Sequence, residues 1–207
     1  MNKIYRNALI EIFSLKKRKR TGWLLPGRNL NEQRVESVSD HTWASCMLAE
    51  MFLPATRGEL IGLVGEEQGD DKYDKTEIVR MLIVHDLSEA YTGDVALGCK
   101  TDKDRELEEA RMAYYATLAK YSPFENMKHI YRRWEKYEER TDYNAKVAKD
   151  IDQLECFIQL FMYKDMLIEE NGETNWLRLQ EEWEASLTIR TRFGKWLYCF
   201  IKKNLFG

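Results

Sequence analysis

The amino-acid sequence predicts an all-α protein, and three observations predict it. Only 3 prolines occur in 207 residues. Segment after segment repeats its apolar positions at helical spacing, and no stretch alternates apolar and polar residues as a half-buried strand would. A chain of this length holds one sizeable domain. No linker, repeat or low-complexity tract divides it, so a single domain over 1–207 is expected, with its core at about 20–170 and C-terminal helices over 173–207.

The elements follow in order. Ile4, Ala8, Leu9, Ile12 and Phe13 form a first helical stripe. Trp43, Ala44, Met47, Leu48, Met51 and Phe52 form a second, opened by a Ser37-to-Asp40 stretch that resembles a capping box. Asp74 and Glu77 bracket the next start. The run from Ile78 to Val84 is apolar nearly all round, and it continues without a breaker from Glu77 to Tyr91 before Gly93. That length predicts a central buried helix rather than a strand. Leu107, Arg111, Tyr114 and Leu118 mark another helix, which Pro123 ends, and Phe124, Met127, Tyr131 and Trp134 mark one more.

A long helix is expected from Tyr143 to Glu170, with Ala148, Ile151, Leu154, Ile158, Phe161 and Met162 inside and Asn171-Gly172 as its C-terminal cap. Trp183, Leu187, Trp196, Leu197, Phe200 and Ile201 predict one or two terminal helices, their tryptophans best explained by core packing. Residues 26–33, 65–74 and 94–103 read as loops.

Composition narrows the function. The charged fraction of 32% is nearly balanced, and a net charge of -3 argues against nucleic acid as the main partner. Cys46, Cys99, Cys156 and Cys199 never pair as CxxC, which excludes a zinc ribbon and favours reduced, mostly buried thiols. The segment up to Leu15 is amphipathic rather than a leader, and no run reaches the ~18 apolar residues of a membrane span. A soluble, cytoplasmic protein is the expectation.

The chemistry concentrates in VRMLIVHDLSEAYTGD, residues 79–94. A lone His-Asp pair is usually a cap or a salt bridge. Here His85, Asp86, Glu89 and Asp94 fall within ten residues of an otherwise burial-prone segment, where unpaired charges are costly. A bound dication would pair with them, since imidazole and carboxylate both ligate first-row metals. His41, preceded by Asp40, opens the second helix, and Asp152 lies in the long one. Asp150 and Asp152 differ by two positions and cannot share a face, so at most one is expected beside the apolar stripe. Spacing alone leaves that choice open. His129 reads as a surface histidine. The run Lys16 to Arg20 suits a helix C-terminus, or the recruitment of an anionic substrate.

ESVSDH, VHDLSEAYTGDV and KDIDQLE, in that order and with RTGW ahead of them, resemble the HD-domain superfamily of metal-dependent phosphohydrolases. The resemblance runs from about Arg20 to Glu155 and is nearest to the 5′-deoxynucleotidase branch. It implies an HD-domain helical bundle with one divalent cation (Mn, Co, Fe, Ni or Zn) on His41, His85, Asp86 and Asp152. It further implies Glu89 as an acid/base carboxylate and Asp94 as a catalytic and substrate-orienting group. Arg20 and Trp23 would lie near phosphate and sugar, a nucleotide would be the substrate, and the assembly would be a homodimer. The link over 24–33 looks longer than in the family, so Arg28 or Arg34 are alternative phosphate contacts.

The expected reaction is hydrolysis of a deoxyribonucleoside 5′-monophosphate by a metal-activated water, with Glu89 or Asp94 relaying the proton. Bulk at Trp23 would exclude a 2′-hydroxyl. A cyclic-nucleotide phosphodiesterase, a triphosphatase or a non-catalytic HD-fold binding module are the alternatives. The phosphodiesterase reading suffers because only His129 is left to build a second metal site.

Overall fold

The computed structural model describes residues 2–96, 98–121 and 124–207. Among them there is no strand, only an isolated antiparallel bridge between Lys19 and Ser37. The helices are α1 (Asn2–Phe13), α2 (Val38–Phe52), α3 (Arg57–Val64), α4 (Lys75–Val84), α5 (Glu89–Thr92), α6 (Asp102–Thr117), α7 (Met127–Glu139), α8 (Tyr143–Met162), α9 (Lys164–Asn171), α10 (Glu173–Ser186) and α11 (Arg192–Ile201).

α8 is the axis of the bundle, packed by α2, α4, α7 and α11. It is therefore buried on several sides, and the expectation that only one of Asp150 and Asp152 turns inward is corrected: both are buried. Asp150 accepts from the Arg190 and Thr191 backbone N–H groups and from the Thr191 hydroxyl, which anchors the start of α11. Gly194 lets α11 approach so closely, because a Cβ there would meet Asp150 Cβ and Cγ at 2.8 Å. Asp152 turns to the opposite task, described below.

Two apolar clusters make the interior. The larger joins Trp23 and Leu48 to Met81, Ile151, Phe157, Phe193 and Ile201, so the C-terminal helices share its core. The smaller collects Ala8, Val84, Leu87, Met112, Tyr115 and Trp134. α4 thus passes from one cluster to the other at its C-terminal end.

The structure corrects several expectations. The helix foreseen from Glu77 to Tyr91 is broken into α4 and α5 by a tight turn over 85–88. The long helix divides at Tyr163 into α8 and α9, although Gly172 does close α9 with φ 83°. Met162 is exposed, and Phe157 and Leu160 take the inner positions. In α2, Trp43, Met47 and Met51 face outward, while Val38, His41, Ser45, Leu48 and Ala49 face inward. Only Ala8 of the first stripe is buried among Ile4, Ala8, Leu9 and Phe13. In α6, Leu107 and Tyr114 are exposed, and Met112 and Tyr115 carry the buried face. α3 was not foreseen, although Thr56 and Glu59 form a capping box that announces it. The capping box of Ser37 and Asp40 is present, and His129 is exposed. Pro123 lies outside the described residues.

Candidate metal centre and active site

Adjacent residues on a regular helix point about 100° apart, so His85 and Asp86 can address one point only where the helix gives way. The turn supplies this. His85 Nδ1 donates to the Leu82 carbonyl at 2.6 Å, occupying an acceptor of the last α4 turn. The chain then tightens through Leu87 N to Val84 O and Glu89 N to Asp86 O. His85 and Asp86 consequently face His41 from α2 and Asp152 from α8.

The ring atoms converge closely. His41 Nε2 lies 3.2 Å from His85 Nε2, 3.0 Å from Asp152 Oδ1 and 3.8 Å from Asp86 Oδ2. His85 Nε2 lies 3.1 Å from Asp86 Oδ2 and 3.7 Å from Asp152 Oδ1. Donors ~2.1 Å from one ion in neighbouring octahedral positions are ~3 Å apart. The donor chemistry agrees. Leu82 O can only accept, so the His85 proton sits on Nδ1, and His41 Nδ1 meets the Glu155 carboxylate. Without an ion, Glu155 and Asp152 raise the His41 pKa against the effect of burial. With an ion bound, each imidazole would be neutral with its one N–H on Nδ1, which turns both Nε2 lone pairs to the point where two carboxylate oxygens also converge. Such a nest of acceptors fits a cation between them. His41, His85 and Asp152 form the tightest grouping, with Asp86 reaching both rings through Oδ2.

Residues that the sequence left without a role hold these groups in place. Glu155 fixes His41. Tyr137 donates to Asp152 Oδ2 at 2.6 Å, and Lys149 donates to the same oxygen at 2.6 Å and to the Tyr137 hydroxyl at 3.0 Å. Burial alone would raise the Asp152 pKa, but Lys149 and the two imidazoles hold it well below the usual range. Asp86 behaves alike: burial opposes, yet His85 and Arg20 keep it ionised. Their signals were faint, since a Tyr, a Lys and a Glu at helical spacing are ordinary surface residues until packing is known. Burial pushes the Cys156 thiol, beside this cluster, up to about 12, and its sulfur accepts from Arg20 Nη2 at 3.4 Å.

Glu89 stands apart from its neighbours. It is buried, and its Oε2 has no hydrogen-bond partner. Burial first, and then the Asp86 charge, push its carboxyl well above the usual carboxylate range. Asp94 is fully engaged. Its Oδ1 takes Arg20 Nη1 at 3.2 Å, and its Oδ2 takes the Thr21 N–H at 2.5 Å and hydroxyl at 2.6 Å. Arg20 Nη1 also reaches Asp86 Oδ2 at 3.2 Å.

A cavity of about 310 Å³ opens onto this cluster, near the lower end of the ~300–1,000 Å³ typical of small-molecule sites. Asp86, Glu89, Asp94, Asp152 and Arg20 line it together with Lys100 and Lys149. Its other wall is aromatic and apolar, made by Trp23, Leu179, Trp183 and Leu187, with Arg28 beside them. Trp23 is buried, donates to Glu36 Oε1 at 3.0 Å, and stacks on Trp183 at 4.9 Å between ring centroids. Trp183, foreseen only as part of a terminal helix, is thus a cavity residue. Arg34 is exposed and does not line the cavity.

The helical bundle and its buried His/Asp nest define the class: an all-α protein with a site able to hold a divalent cation beside a polar cavity. The HD domain family profile matches residues 12–183, and the chain belongs to that family. The human 5′-deoxynucleotidase HDDC2 is 33% identical over 155 residues, 73% of this chain and 64% of that protein. The Dictyostelium discoideum 5′-deoxynucleotidase HDDC2 is 34% identical over 150 residues, 72% of each. The match therefore spans just under two thirds of the human relative's length. Among solved structures, a Pyrococcus horikoshii protein superposes with a TM-score of 0.61 at 20% identity, covering 95% of this chain and 96% of that one. A protein of Magnetospirillum magnetotacticum, described as a predicted metal-dependent phosphohydrolase, gives 0.59 at 21%, covering 96% and 92%. At those identities the likeness is one of fold.

Proposed function

We propose that this protein is a metal-dependent phosphohydrolase that converts deoxyribonucleoside 5′-monophosphates to deoxyribonucleosides and phosphate. The observation that carries the reading is Glu89: a buried carboxyl whose Oε2 has no partner, lining the same cavity as Asp86 and Asp152 of the nest. The names of the relatives support the choice of substrate.

His41, His85, Asp86 and Asp152 would hold one divalent ion, and mixed nitrogen and oxygen ligation suits Mn, Co, Fe, Ni or Zn. When bound, such an ion supplies an activated water and neutralises phosphoryl charge. Glu89, in the same cavity as the nest, would relay the proton between water and the departing 5′-oxygen. Asp94 orients Arg20 rather than water, through its bonds to Arg20 and Thr21. Arg20 grips phosphate oxygens with the donors that its long bonds leave available. Trp23 walls the sugar.

A homodimer in the cytoplasm completes the proposal. Trp43, Met47 and Met51 support the dimer, since they lie one turn apart along the outer face of α2, 67%, 40% and 69% exposed. Free cysteines support the compartment, and no helix among the described residues is long and apolar enough to cross a membrane.

The test strips the protein of metal and follows phosphate release from deoxy- and ribonucleoside 5′-monophosphates, with triphosphates and cyclic nucleotides as controls. Each metal is restored separately, and Asp86→Ala is run alongside. Metal-dependent release that favours deoxy-monophosphates and disappears in the variant is the expected result. Preference for a triphosphate or cyclic nucleotide overturns the substrate, and no turnover with any metal overturns the enzyme.

A further inference from the structure

The segment 25–30 is not a loose loop. Asn171 donates to the Arg28 carbonyl at 2.8 Å, Asn175 donates to the Gly27 carbonyl at 2.7 Å, and Leu30 N bonds Trp23 O at 3.3 Å. These ties fasten the segment to α9 and α10, and they lay the Arg28 guanidinium against two indoles. It sits 4.7 Å from the Trp183 ring centroid and 5.8 Å from that of Trp23. The half-buried guanidinium is desolvated, which lowers its pKa. Among the described residues it has no carboxylate within salt-bridge distance, because Glu182 nearby is paired with Arg178. Its protein hydrogen bond goes from Nη1 to the Gly22 carbonyl, and a guanidinium has five N–H donors.

Position separates Arg28 from the phosphate-side cations. Arg20 donates to Asp86 and Asp94 at 3.2 Å, whereas Arg28 donates to the Gly22 carbonyl and lies over the Trp183 and Trp23 rings. Arg28 therefore belongs to the aromatic wall of the cavity. A nucleoside monophosphate with its phosphate at the His/Asp nest directs its base toward that wall. A flat guanidinium backed by an aromatic face and facing a cavity suits acceptor pairs on a planar ring, as in arginine's bidentate contact with guanine O6 and N7.

We propose that Arg28, seated on the Trp23–Trp183 stack, forms a base-recognition subsite that prefers bases with carbonyl acceptors, guanine foremost. This rests on the nucleotidase reading only for the identity of the phosphate end.

The experiment has two arms. The first titrates metal-free protein with deoxyguanosine, deoxyadenosine and 2-deoxyribose and follows tryptophan fluorescence. Deoxyguanosine should quench, 2-deoxyribose should not, and Arg28→Met should weaken deoxyguanosine binding about tenfold. The second measures kcat/KM for dGMP relative to 2-deoxyribose 5-phosphate. That ratio should fall about tenfold or more in Arg28→Met, chiefly through KM, and Arg28→Lys should not restore it because an ammonium lacks the planar fork. Trp183→Leu should lower the ratio in the same direction, whereas Trp183→Phe should retain most of it. An unchanged ratio, with both substrates losing equally, overturns the subsite and returns Arg28 to phosphate or to structure. Arg28-dependent nucleoside binding without any monophosphate hydrolysis upholds the subsite while the nucleotidase reading falls. Hydrolysis with nucleoside binding indifferent to Arg28 does the reverse.

Discussion

Glu155→Gln offers the sharpest probe of the metal centre. The side chain keeps its size and an acceptor for His41 Nδ1, and loses only its charge. His41 and Glu155 are 0% and 4% exposed, so solvent screens little of that loss. Loss of a group that orients a metal-bound imidazole costs about 10- to 100-fold in metal affinity, or about 1.4–2.7 kcal/mol. Because the acceptor survives, Gln should sit near tenfold, and Glu155→Ala, which also frees the imidazole to turn, near 100-fold. The assay strips the protein and titrates it with Mn²⁺, following free ion by its spin-resonance signal, with thermal unfolding as a second readout. A Gln variant that binds within twofold of the parent refutes the reasoning, because Glu155 would then be a packing neighbour. A Gln variant that loses binding as completely as Asp86→Ala refutes it too, by making Glu155 itself a ligand.

Other perturbations separate structure from site. Gly194→Ala should cost about 1–3 kcal/mol through overpacking against Asp150, roughly 2–4 °C in Tm for each kcal/mol, with Mn²⁺ affinity unmoved; a change in affinity would refute the division of labour between Asp150 and Asp152. Lys149→Met removes the foremost cation that lowers the Asp152 pKa, so the pH at which Mn²⁺ binding is half lost should rise; an unshifted acid limb refutes the pairing. Glu36 has its carboxyl raised from the usual 4.5 to about 7, by burial foremost and then by the Glu155 charge. The folded state therefore holds an extra proton between those values, so this group's stability contribution is whole below the lower and lost as pH climbs through the upper. Urea midpoints of metal-free Glu36→Gln should lack that decline, and parallel profiles for parent and variant would refute the assignment.

How much of this was legible follows from what each residue must do. The helical class and the caps at Ser37, Asp74 and Gly172 are local decisions, and they can be read wherever a side chain answers its own backbone. Inward faces were less legible. Trp43, Met47 and Met51 follow helical spacing perfectly yet face solvent, because a periodic apolar stripe reports an interface without saying which partner fills it. The break at 85–88 was hidden for the opposite reason. No glycine or proline marks it, and the cause is a side chain, His85, reaching the Leu82 carbonyl. The gathering of His41, His85, Asp86 and Asp152 came from motif order, not from periodicity, since the four lie on three elements that only the packing around α8 brings together. Glu155, Tyr137 and Lys149 were illegible because their significance is their distance to another residue. Trp183 was illegible, and Arg28 was legible only as an alternative phosphate contact, because the cavity wall joins α10 to a segment about 150 residues earlier in the chain.

The electrostatic arrangement of the cavity carries one more consequence. Asp86, Asp94 and Asp152 each have a cation in contact, and the cations are not equivalent. Lys149 holds Asp152 at 2.6 Å with Tyr137 as a second partner, a tight and fixed pairing. Arg20 instead spreads one amino group over Asp86 and Asp94 at 3.2 Å each, and its other contacts the Cys156 sulfur at 3.4 Å. Both carboxylate bonds lie beyond the ~2.7–2.9 Å of strong charge-assisted pairs, and a sulfur acceptor is weak. Arg20 is therefore anchored in position but underused as a donor, which is the condition a phosphate-gripping arginine must meet. Lys149 has spent its charge on a ligand carboxylate. Of the two, Arg20 is the group whose replacement should raise KM for a phosphate ester, and Lys149 the one whose replacement should loosen the metal.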